Sequence, residues 1–362
     1  MKHSKLSPSS AYQWVNCPGS VMMQEKFPDT AENTAAAEGT ATAWYAEQVF
    51  KGMDPLPPSA PNGVFLTTEM REAIGLYVRT VQSVTRGNPV ICEHRVAIPM
   101  VHPACFGTLD ACYFDVESRT LHIWDLKYGW GLVDAYGNNQ LALYALGLYN
   151  DMSPDRVFVH IVQPRPYHPD GPVRSWEITR PELEDYRARL STAAHLAVSD
   201  NPPVRTGAHC RYCSALYACI TAQNACLNVL DVSGFAVSPS VPPEQIGYEL
   251  TVLRRASEII THRLAATEQR AIDLCKSGAT IPGWSQTFTA GRRVWNEQDR
   301  VAIKALAEMY SVNIEKAPEL LTPAQAETAG LPKDIVRMYT TTQAGKAKME
   351  PINQDKIKRL LA

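Results

Sequence analysis

The chain has 362 residues, of which 45% are hydrophobic and 20% are charged, as is typical of soluble globular proteins. It has no run of about 20 apolar residues that could cross a membrane. Residues 1–10 lack the apolar core of a secretory signal, so we expect a cytoplasmic protein without a membrane partner. The formal net charge of -2 excludes the overall basic field of many nucleic-acid binders, although one groove can still concentrate positive charge.

The predicted elements run from helices to strands and back to helices. Helices are marked by apolar residues three or four positions apart, and strands by short runs of β-branched and aromatic residues. The predicted helices span residues 11–17, 34–50, 67–85, 134–149 and 181–198. The predicted strands span residues 90–98, 107–116, 120–126 and 156–163, with a tight turn at 117–119. This order predicts an α/β fold.

The length suits one enlarged domain followed by a smaller C-terminal module. A stretch rich in serine and proline, residues 237–243, is interpreted as a linker. Beyond it, apolar residues at helical spacing from Ile246 to Leu264 predict a long amphipathic helix that ends near Gly278. We therefore predict a core over residues 1–236 and a mostly helical accessory module over residues 237–362.

Two acids and a lysine stand on neighbouring predicted strands. Asp110 lies in one strand, and Asp125 and Lys127 lie two positions apart at the end of the next, where both point to one face. Carboxylates bind Mg²⁺ or Mn²⁺, while a lysine can orient the attacking water and stabilise charge on phosphate. An isolated D-x-K is usually a solvated edge or an ion pair. Here Trp124 and its apolar neighbours indicate a buried strand, where an unpaired charge is costly, and this favours metal-dependent phosphodiester hydrolysis.

Gln140 and Tyr144 lie four positions apart and share one face of the next predicted helix. With Asp110, Asp125 and Lys127 they form the series G-x-x-D, D-x-K and Q-x-x-x-Y, which resembles the RecB-like branch of the PD-(D/E)XK nucleases. The resemblance implies a restriction-endonuclease-like core, a mixed central sheet flanked by helices, to which we add a C-terminal helical extension. It also implies that Gln140 and Tyr144 contact DNA or hold the lysine. Without it, the two residues would be a packing face.

The resemblance is incomplete at the first metal-binding position. Many RecB-like enzymes carry a histidine on the N-terminal helix after a Gly-Thr pair, but here Gly39-Thr40 is followed by Ala43. Glu38, Glu47 and Glu93 are the carboxylates that could replace the histidine, and each could instead be a surface glutamate. We favour the surface interpretation for Glu47 and rank Glu38 and Glu93 equally.

The chain has nine cysteines, and in the reducing compartment expected here a cysteine cluster favours metal binding over disulfides. Cys210, Cys213 and Cys219 lie in one short segment, and the fourth ligand is either Cys226 or the distant Cys17. Spacing alone does not choose between zinc and an iron-sulfur cluster. One cysteine before the core and three after it resembles AddB-type and CRISPR-adaptation nucleases. That resemblance implies a [4Fe-4S] cluster held by Cys17, Cys210, Cys213 and Cys219, which would join the two ends of the core.

Three segments, residues 6–20, 281–284 and 291–295, are similar to a phage and prophage family long catalogued as a domain of unknown function. The similarity implies a nuclease of phage recombination or DNA processing in the host cytoplasm. We expect an exonuclease that acts on linear duplex DNA, with a phage single-strand annealing protein as a candidate partner. The chain carries no helicase P-loop motif.

Basic residues in the C-terminal part form a second candidate DNA surface. Arg292 and Arg293 stand beside Trp295, a combination that can stack on or clamp a strand end. The other basic residues are more simply interpreted as solvated helix faces, and they are Arg254, Arg255, Arg263, Lys356, Lys358 and Arg359.

Two other functions are compatible with the sequence. A protein that keeps the nuclease fold as a DNA-binding accessory, with weak or no catalysis, would account for the missing histidine. A zinc-stapled hydrolase of another class would use the same acids on a different substrate.

Overall fold

The computed structural model describes residues 4–28, 34–233 and 243–284. The helices are α1 (Ala11–Asn16), α2 (Ser20–Lys26), α3 (Thr34–Phe50), α4 (Thr68–Thr85), α5 (Asn139–Met152), α6 (Arg180–Ala197), α7 (Ile220–Ser233) and α8 (Pro243–Lys276). The strands are β1 (Ile91–Ala97), β2 (Phe106–Asp115), β3 (Thr120–Leu126), β4 (Arg156–Val162) and β5 (Val173–Ile178). Across these ranges, each helix is too short or too polar to cross a bilayer.

The strands form one mixed sheet in the order β1-β2-β3-β4-β5. Neighbours are antiparallel except β3 and β4, which are parallel. Parallel neighbours need a crossover between them, and α5 supplies it. The predicted α/β class and the mixed central sheet flanked by helices are thereby confirmed.

Helices cover both faces of the sheet and form two separate cores. On one face α5 packs against Leu121, Ile123 and Val159, with α1 and α6 beside it. On the other face α3 and α4 pack against Trp124 and Leu126. Because side chains alternate along a strand, Asp125 points to the α5 face, between two buried residues that point away from it. The sheet thus presents Asp125 to the first turn of α5.

The start of α5 is fixed by a side-chain cap. The Asn138 side chain accepts hydrogen bonds from the backbone N–H groups of Gln140 at 2.9 Å and Leu141 at 3.2 Å. This cap satisfies donors that a helix leaves unpaired at its N-terminus. The sequence predicted that this helix begins at Asp134, but the cap makes it begin at Asn139. The cap also places Gln140 in the first turn, directly above the end of β3.

The predicted strands missed β5 and the predicted helices missed α2 and α7. β5 is an edge strand that pairs only with β4 in the sheet, and it alternates buried and exposed side chains. Its buried residues include Arg174. A charged residue at a buried position interrupts the alternation of apolar and polar residues by which a strand is recognised, so β5 was not predicted. α2 has only seven residues, and α7 begins directly after Cys219.

The chain divides into two compact units, residues 1–278 and 279–362. The sequence placed the boundary at residues 236 and 237, so α8 lies in the first unit and not in the accessory module. The physical reason is hydrogen bonding: Arg255 donates to the carbonyl of Thr206 at 3.1 Å, and Arg263 donates to those of Leu216 and Cys219 at 3.1 and 3.0 Å. The predicted linker at residues 237–243 lies almost entirely outside the described residues.

Gly147 sets how closely α5 approaches β1. A methyl group at this position would lie 2.2 Å from Val96 Cγ1 and 3.1 Å from the carbonyl oxygen of Ala97. We expect Gly147→Ala to lower the free energy of unfolding by about 1–3 kcal/mol, because the overpacking outweighs the higher helix propensity of alanine. Gly39→Ala in α3 is the control, since nothing lies within 4 Å of its added methyl group. Denaturant unfolding that ranks the two variants in the opposite order would contradict the contact.

Four rings stack along the strands on the α4 side of the sheet, from His122, Trp124, Phe158 and His160. His122 Nδ1 and His160 Nε2 lie 3.1 Å apart, and His160 Nδ1 lies 2.7 Å from Ser175 Oγ. Burial, and then the neighbouring His122, lower the pKa of His160 to about 3. The imidazole is therefore neutral in the folded chain at every pH at which the chain is ordinarily studied.

This depressed pKa predicts acid sensitivity. An unfolded histidine has a pKa near 6.5, so below that pH the unfolded state binds a proton that folded His160 does not. Stability is therefore lost as the pH falls from about 6.5 toward 3, by about 2 kcal/mol at pH 5. We expect His160→Gln to flatten the fall in unfolding free energy between about pH 7 and 5. If wild type and variant show parallel profiles, His160 is not the titrating group.

Candidate active site

The register of β2 and β3 brings Asp110 and Asp125 side by side. Ala111 pairs with Trp124 in the ladder, so the next residue on each strand is Asp110 and Asp125. The regular ladder ends there, and Asp110 Oδ2 accepts a hydrogen bond from the backbone N–H of Leu126 at 2.7 Å. Asp110 is half-buried and Asp125 is only 3% exposed. Two carboxylates therefore stand together in a site largely closed to water.

Lys127 and Gln140 complete a polar network around Asp125. Lys127 Nζ lies 2.8 Å from Asp125 Oδ2 and donates to Gln140 Oε1 at 3.0 Å. Gln140 Nε2 donates to Asp125 Oδ1 at 2.6 Å. The amide of Gln140 thus holds the acid with its donor and the lysine with its acceptor. Of the two roles that the resemblance implied for Gln140, the structure shows contact with the lysine.

Tyr144 lies one turn further along α5 and fixes the other strand. Its hydroxyl group donates to the carbonyl of Thr108 at 2.6 Å. A methyl group at Gly107 would lie 3.0 Å from this hydroxyl and 2.7 Å from Pro8 Cδ. The G-x-x-D glycine therefore leaves room for Tyr144 and for the N-terminal segment. Tyr144 is buried. Burial, and then the nearby Asp125 and Asp110 carboxylates, raise the pKa of its hydroxyl group.

The charges of Asp110, Asp125 and Lys127, called the trio below, act strongly on one another. Burial, and then the neighbouring Asp125 carboxylate, raise the pKa of Asp110 to about 8, while Lys127 acts in the opposite direction. Burial alone would lower the pKa of Lys127, but Asp125 and Asp110 raise it above its ordinary value. Lys127 is therefore held as an ammonium group, with 27% of its side chain exposed toward solvent.

The structure separates the two carboxylates that were ranked equally. In the register of β1 and β2, Glu93 stands opposite Asp110, and its backbone has the left-handed φ of 47°. Desolvation by the surrounding protein, and then Glu47, raise the pKa of Glu93. Glu38 instead forms an ion pair with Arg165, with Nη1 and Oε2 2.8 Å apart. Glu93 is the one of the pair that lies next to the trio.

Glu47 lies close enough to Glu93 to affect its charge, although the sequence favours a surface position for it. It is half-buried on α3, pairs with Lys51 at 2.6 Å and acts electrostatically on Glu93. Helical spacing alone cannot show this, because the neighbour comes from β1, more than forty residues along the chain. A left-handed backbone at Glu93 is costly for a residue with a Cβ, and such strain is concentrated at functional sites.

The carboxylates of Asp110 and Asp125 suit a divalent cation that takes one or two ligands from the protein and the others from water or substrate. Asp125 Oδ2 is buried, and its partner among the described residues is the Lys127 ammonium group, 2.8 Å away. Mg²⁺ commonly takes one or two carboxylates and fills its shell with water and phosphate oxygens. Asp110 and Asp125 match that need. Within the described ranges, no three His, Cys, Asp or Glu side chains are already arranged around one metal ion.

The cysteines from the two ends of the core meet around one small cavity. Cys17, Cys210, Cys213 and Cys219 all line it, whereas Cys226 does not. Backbone N–H groups of Arg205 and Gly207 donate to the sulfur atoms of Cys17 and Cys210, at 3.3 and 3.4 Å. The cavity is small, with a volume of about 20 Å³. Four cysteines are the donor set of a thiolate-bound metal centre, although among the described residues no three of these thiol groups already surround one metal-ion position.

The remaining candidates fall into two groups. Arg292, Arg293 and Trp295 lie outside the described residues, as do the three basic residues after position 355. The sequence interpreted Arg255 and Arg263 as part of a solvated helix face, but they donate hydrogen bonds to the carbonyls of Thr206 and Leu216 and so also hold α8 in place.

The sequence matches a family model over almost its full length. Residues 3–356 match the family described as "Protein of unknown function (DUF2800)".

Three solved structures are similar to part of this chain. SSO0001 is 16% identical over 61% of this chain and 88% of its own length, with a TM-score of 0.30. A candidate exonuclease from Eubacterium rectale is 10% identical over 66% of this chain and 90% of its own, with a TM-score of 0.38. A phage related exonuclease from Haemophilus somnus 129PT is 15% identical over 54% and 94%, with a TM-score of 0.26. Likenesses at this level do not transfer a reaction.

Proposed function

This chain belongs to the family described as "Protein of unknown function (DUF2800)", and for this member we propose a metal-dependent DNA nuclease activity. The proposed reaction is hydrolysis of phosphodiester bonds with Mg²⁺ or Mn²⁺. The preferred mode is exonuclease action on linear duplex DNA, in phage recombination or DNA processing, with a phage single-strand annealing protein as partner.

One observation carries the proposal. Asp110 and Asp125 stand side by side on two strands, and Lys127 reaches the same space with Gln140 tying acid and lysine together. Burying such a group of charges is costly, so a structural role alone gives no reason to keep them. Phosphodiester hydrolysis uses all of them, since it needs carboxylate ligands and a fixed cation beside the phosphate.

The residues divide the chemistry between them. Asp110 and Asp125 would hold the divalent cation, which when bound activates water and neutralises charge on the phosphate. Lys127 orients the attacking water and places a positive charge where negative charge grows on the phosphate oxygens. Gln140 keeps the ammonium group in place, and Tyr144 fixes the strand that carries Asp110. Glu93 is the proposed carboxylate at the position where related nucleases use a histidine.

The second part of the proposal concerns the cysteines. We propose that Cys17, Cys210, Cys213 and Cys219 hold a [4Fe-4S] cluster, with zinc as the alternative. The role is structural, because the four residues come from both ends of the core and a bound metal would join them. Iron and zinc content, with the visible absorption spectrum of anaerobically purified protein, separates the two metals.

The nuclease proposal is tested with end-labelled linear duplex DNA and Mn²⁺. We expect release of labelled nucleotides from the linear substrate and no cutting of covalently closed circular DNA, since an exonuclease needs an end. Cutting of the closed circle would replace the exonuclease mode by an endonuclease mode. If no substrate is cut by anaerobically prepared, metal-loaded protein, the nuclease proposal fails.

A DNA-binding accessory protein is the second candidate. It is favoured by the absence, among the described residues, of three ligands already arranged around one metal ion. Such a protein would bind the same duplex and release nothing in the presence of Mn²⁺. The same assay therefore decides between the two functions.

A further inference from the structure

A loop of unusual construction follows Lys127 directly. Trp130 and Leu132 are 67% and 59% exposed, although large apolar side chains are usually withdrawn from water. The backbone between them is nevertheless held rigidly. Gln163, which is fully buried, donates to the carbonyls of Gly129 and Gly131 at 3.1 and 2.7 Å and accepts from the N–H of Val133 at 3.1 Å.

A second buried side chain reinforces this support. Arg174 donates to Gln163 Oε1 at 2.7 Å and also to the carbonyl of Val133. Burying a glutamine and an arginine costs free energy unless their polar groups are hydrogen-bonded. Both side chains are hydrogen-bonded here, mainly to the backbone of this one loop. They fix the loop while leaving Trp130 in solvent. Such an arrangement presents an aromatic side chain to a binding partner.

A second exposed ring stands against the same loop. Tyr212 is 59% exposed, and a methyl group at Gly131 would lie 3.1 Å from its hydroxyl oxygen. Tyr212 therefore lies on the backbone beside Trp130. It ends the short 3-10 helix Ala208–Tyr212 and precedes Cys213. The two rings reach this place from opposite parts of the core, one after β3 and one from the cysteine segment.

Each ring carries an arginine. The guanidinium group of Arg165 lies 5.6 Å from the Trp130 ring, and that of Arg211 lies 5.6 Å from the Tyr212 ring. Arg165 is itself paired with Glu38 and Glu69, so it braces Trp130. Arg211 is exposed and supplies positive charge. Aromatic rings interleaved with cations are the surface that binds single-stranded nucleic acid, because bases stack on the rings and phosphates meet the cations.

From this placement we propose that Trp130 and Tyr212 form a stacking surface for the unpaired bases of a DNA strand beside the Asp110, Asp125 and Lys127 site. The inference rests on the proposed function and makes it more specific. It assigns single-stranded DNA, at the end of a duplex, as the species that the site holds. A flush duplex end would have to open by a few base pairs before its strand could be held there.

The test measures binding without added divalent metal, so that cleavage cannot interfere. The probe is a single strand of about 12 nucleotides, compared with closed circular duplex, and the full-length chain is used throughout. We expect Trp130→Ala and Tyr212→Ala each to raise the Kd for the single strand about 5- to 100-fold, with the Kd for the circle unchanged. Trp130→Phe should restore most of the affinity. Fluorescence of 2-aminopurine in the strand should fall on binding wild type and fall less with Trp130→Ala.

The matched control is Val116→Ala, which removes an exposed apolar side chain from the turn between β2 and β3, far along β3 from Lys127, and should leave both Kd values unchanged. An unchanged Kd in both alanine variants would overturn the stacking surface, and so would an equal loss of affinity for the circle. The nuclease assay is run in parallel with Mn²⁺. If wild type cuts and the Kd values do not move, only the stacking surface fails. If wild type does not cut, the nuclease proposal fails, and the binding result still decides whether the surface exists.

Discussion

Replacing Asp125 by asparagine is expected to slow the release of nucleotides from linear duplex DNA by about 10³-fold. The substitution keeps the shape of the side chain and removes the charge that a divalent cation needs. The neutral amide would also leave the Lys127 ammonium group without its ion pair, 2.8 Å away in the native site. Initial rates with Mn²⁺ at saturating DNA measure the effect.

The control for this prediction is Glu177→Gln. Glu177 is an exposed carboxylate on β5, 2.7 Å from Arg156 in an ion pair, and it takes no part in the trio. Its replacement should leave the rate unchanged. Thermal unfolding of Asp125→Asn shows whether any loss of rate comes from loss of fold. A folded Asp125→Asn protein that cuts as fast as wild type would remove Asp125 from the chemistry.

Replacing Cys17 by serine is expected to strip the metal from the cysteine cavity and to lower the free energy of unfolding by about 3–5 kcal/mol. The size of the effect follows from the length of chain between Cys17 and Cys210, which a bound metal closes into a loop. Metal content and visible absorbance report the first effect, and denaturant unfolding reports the second.

Cys226→Ser is the matched control, because Cys226 lies close in sequence to the other cysteines but does not line the cavity. It should keep its metal and its stability. The reverse ranking, with metal lost from Cys226→Ser and kept in Cys17→Ser, would show that the ligand set is local to one segment. If neither wild type nor variant binds iron or zinc, the cysteines are unliganded thiols.

Local patterns determine much of the fold, and these were readable in the sequence. The helix over Thr34–Phe50 and the strand over Thr120–Leu126 were predicted with their observed bounds. In both segments the periodicity of apolar residues favours the same secondary structure that the tertiary fold requires, so local preference and tertiary packing do not conflict. β5 was missed because its inward positions include Arg174, whose burial depends on Gln163 and Val133. Only the assembled sheet shows those partners.

The candidate site divides in the same way. Asp110, Asp125 and Lys127 could be chosen from spacing, because alternate residues of a strand share one face, whereas Gln140 was chosen through the family resemblance. The choice between Glu38 and Glu93 could not be made, because Arg165 pairs with Glu38 across 127 positions of sequence. The sequence does not show which aromatic residues are exposed, so Trp130 could not be assigned to a binding surface. The structure shows that its side chain is exposed and that the buried Gln163 holds the backbone on both sides of it.

The two hydrogen bonds from Arg263 to the carbonyls of Leu216 and Cys219 limit how this protein can be reshuffled in evolution. Recombination between related genes exchanges blocks of sequence, and the stretch rich in serine and proline looks like a convenient crossover point. A crossover there would separate α8 from the cysteine segment that it covers. A crossover after residue 278 would leave both in one piece, as the division of the chain into units indicates. The viable hybrids of this family should therefore carry α8 with the core that it came from.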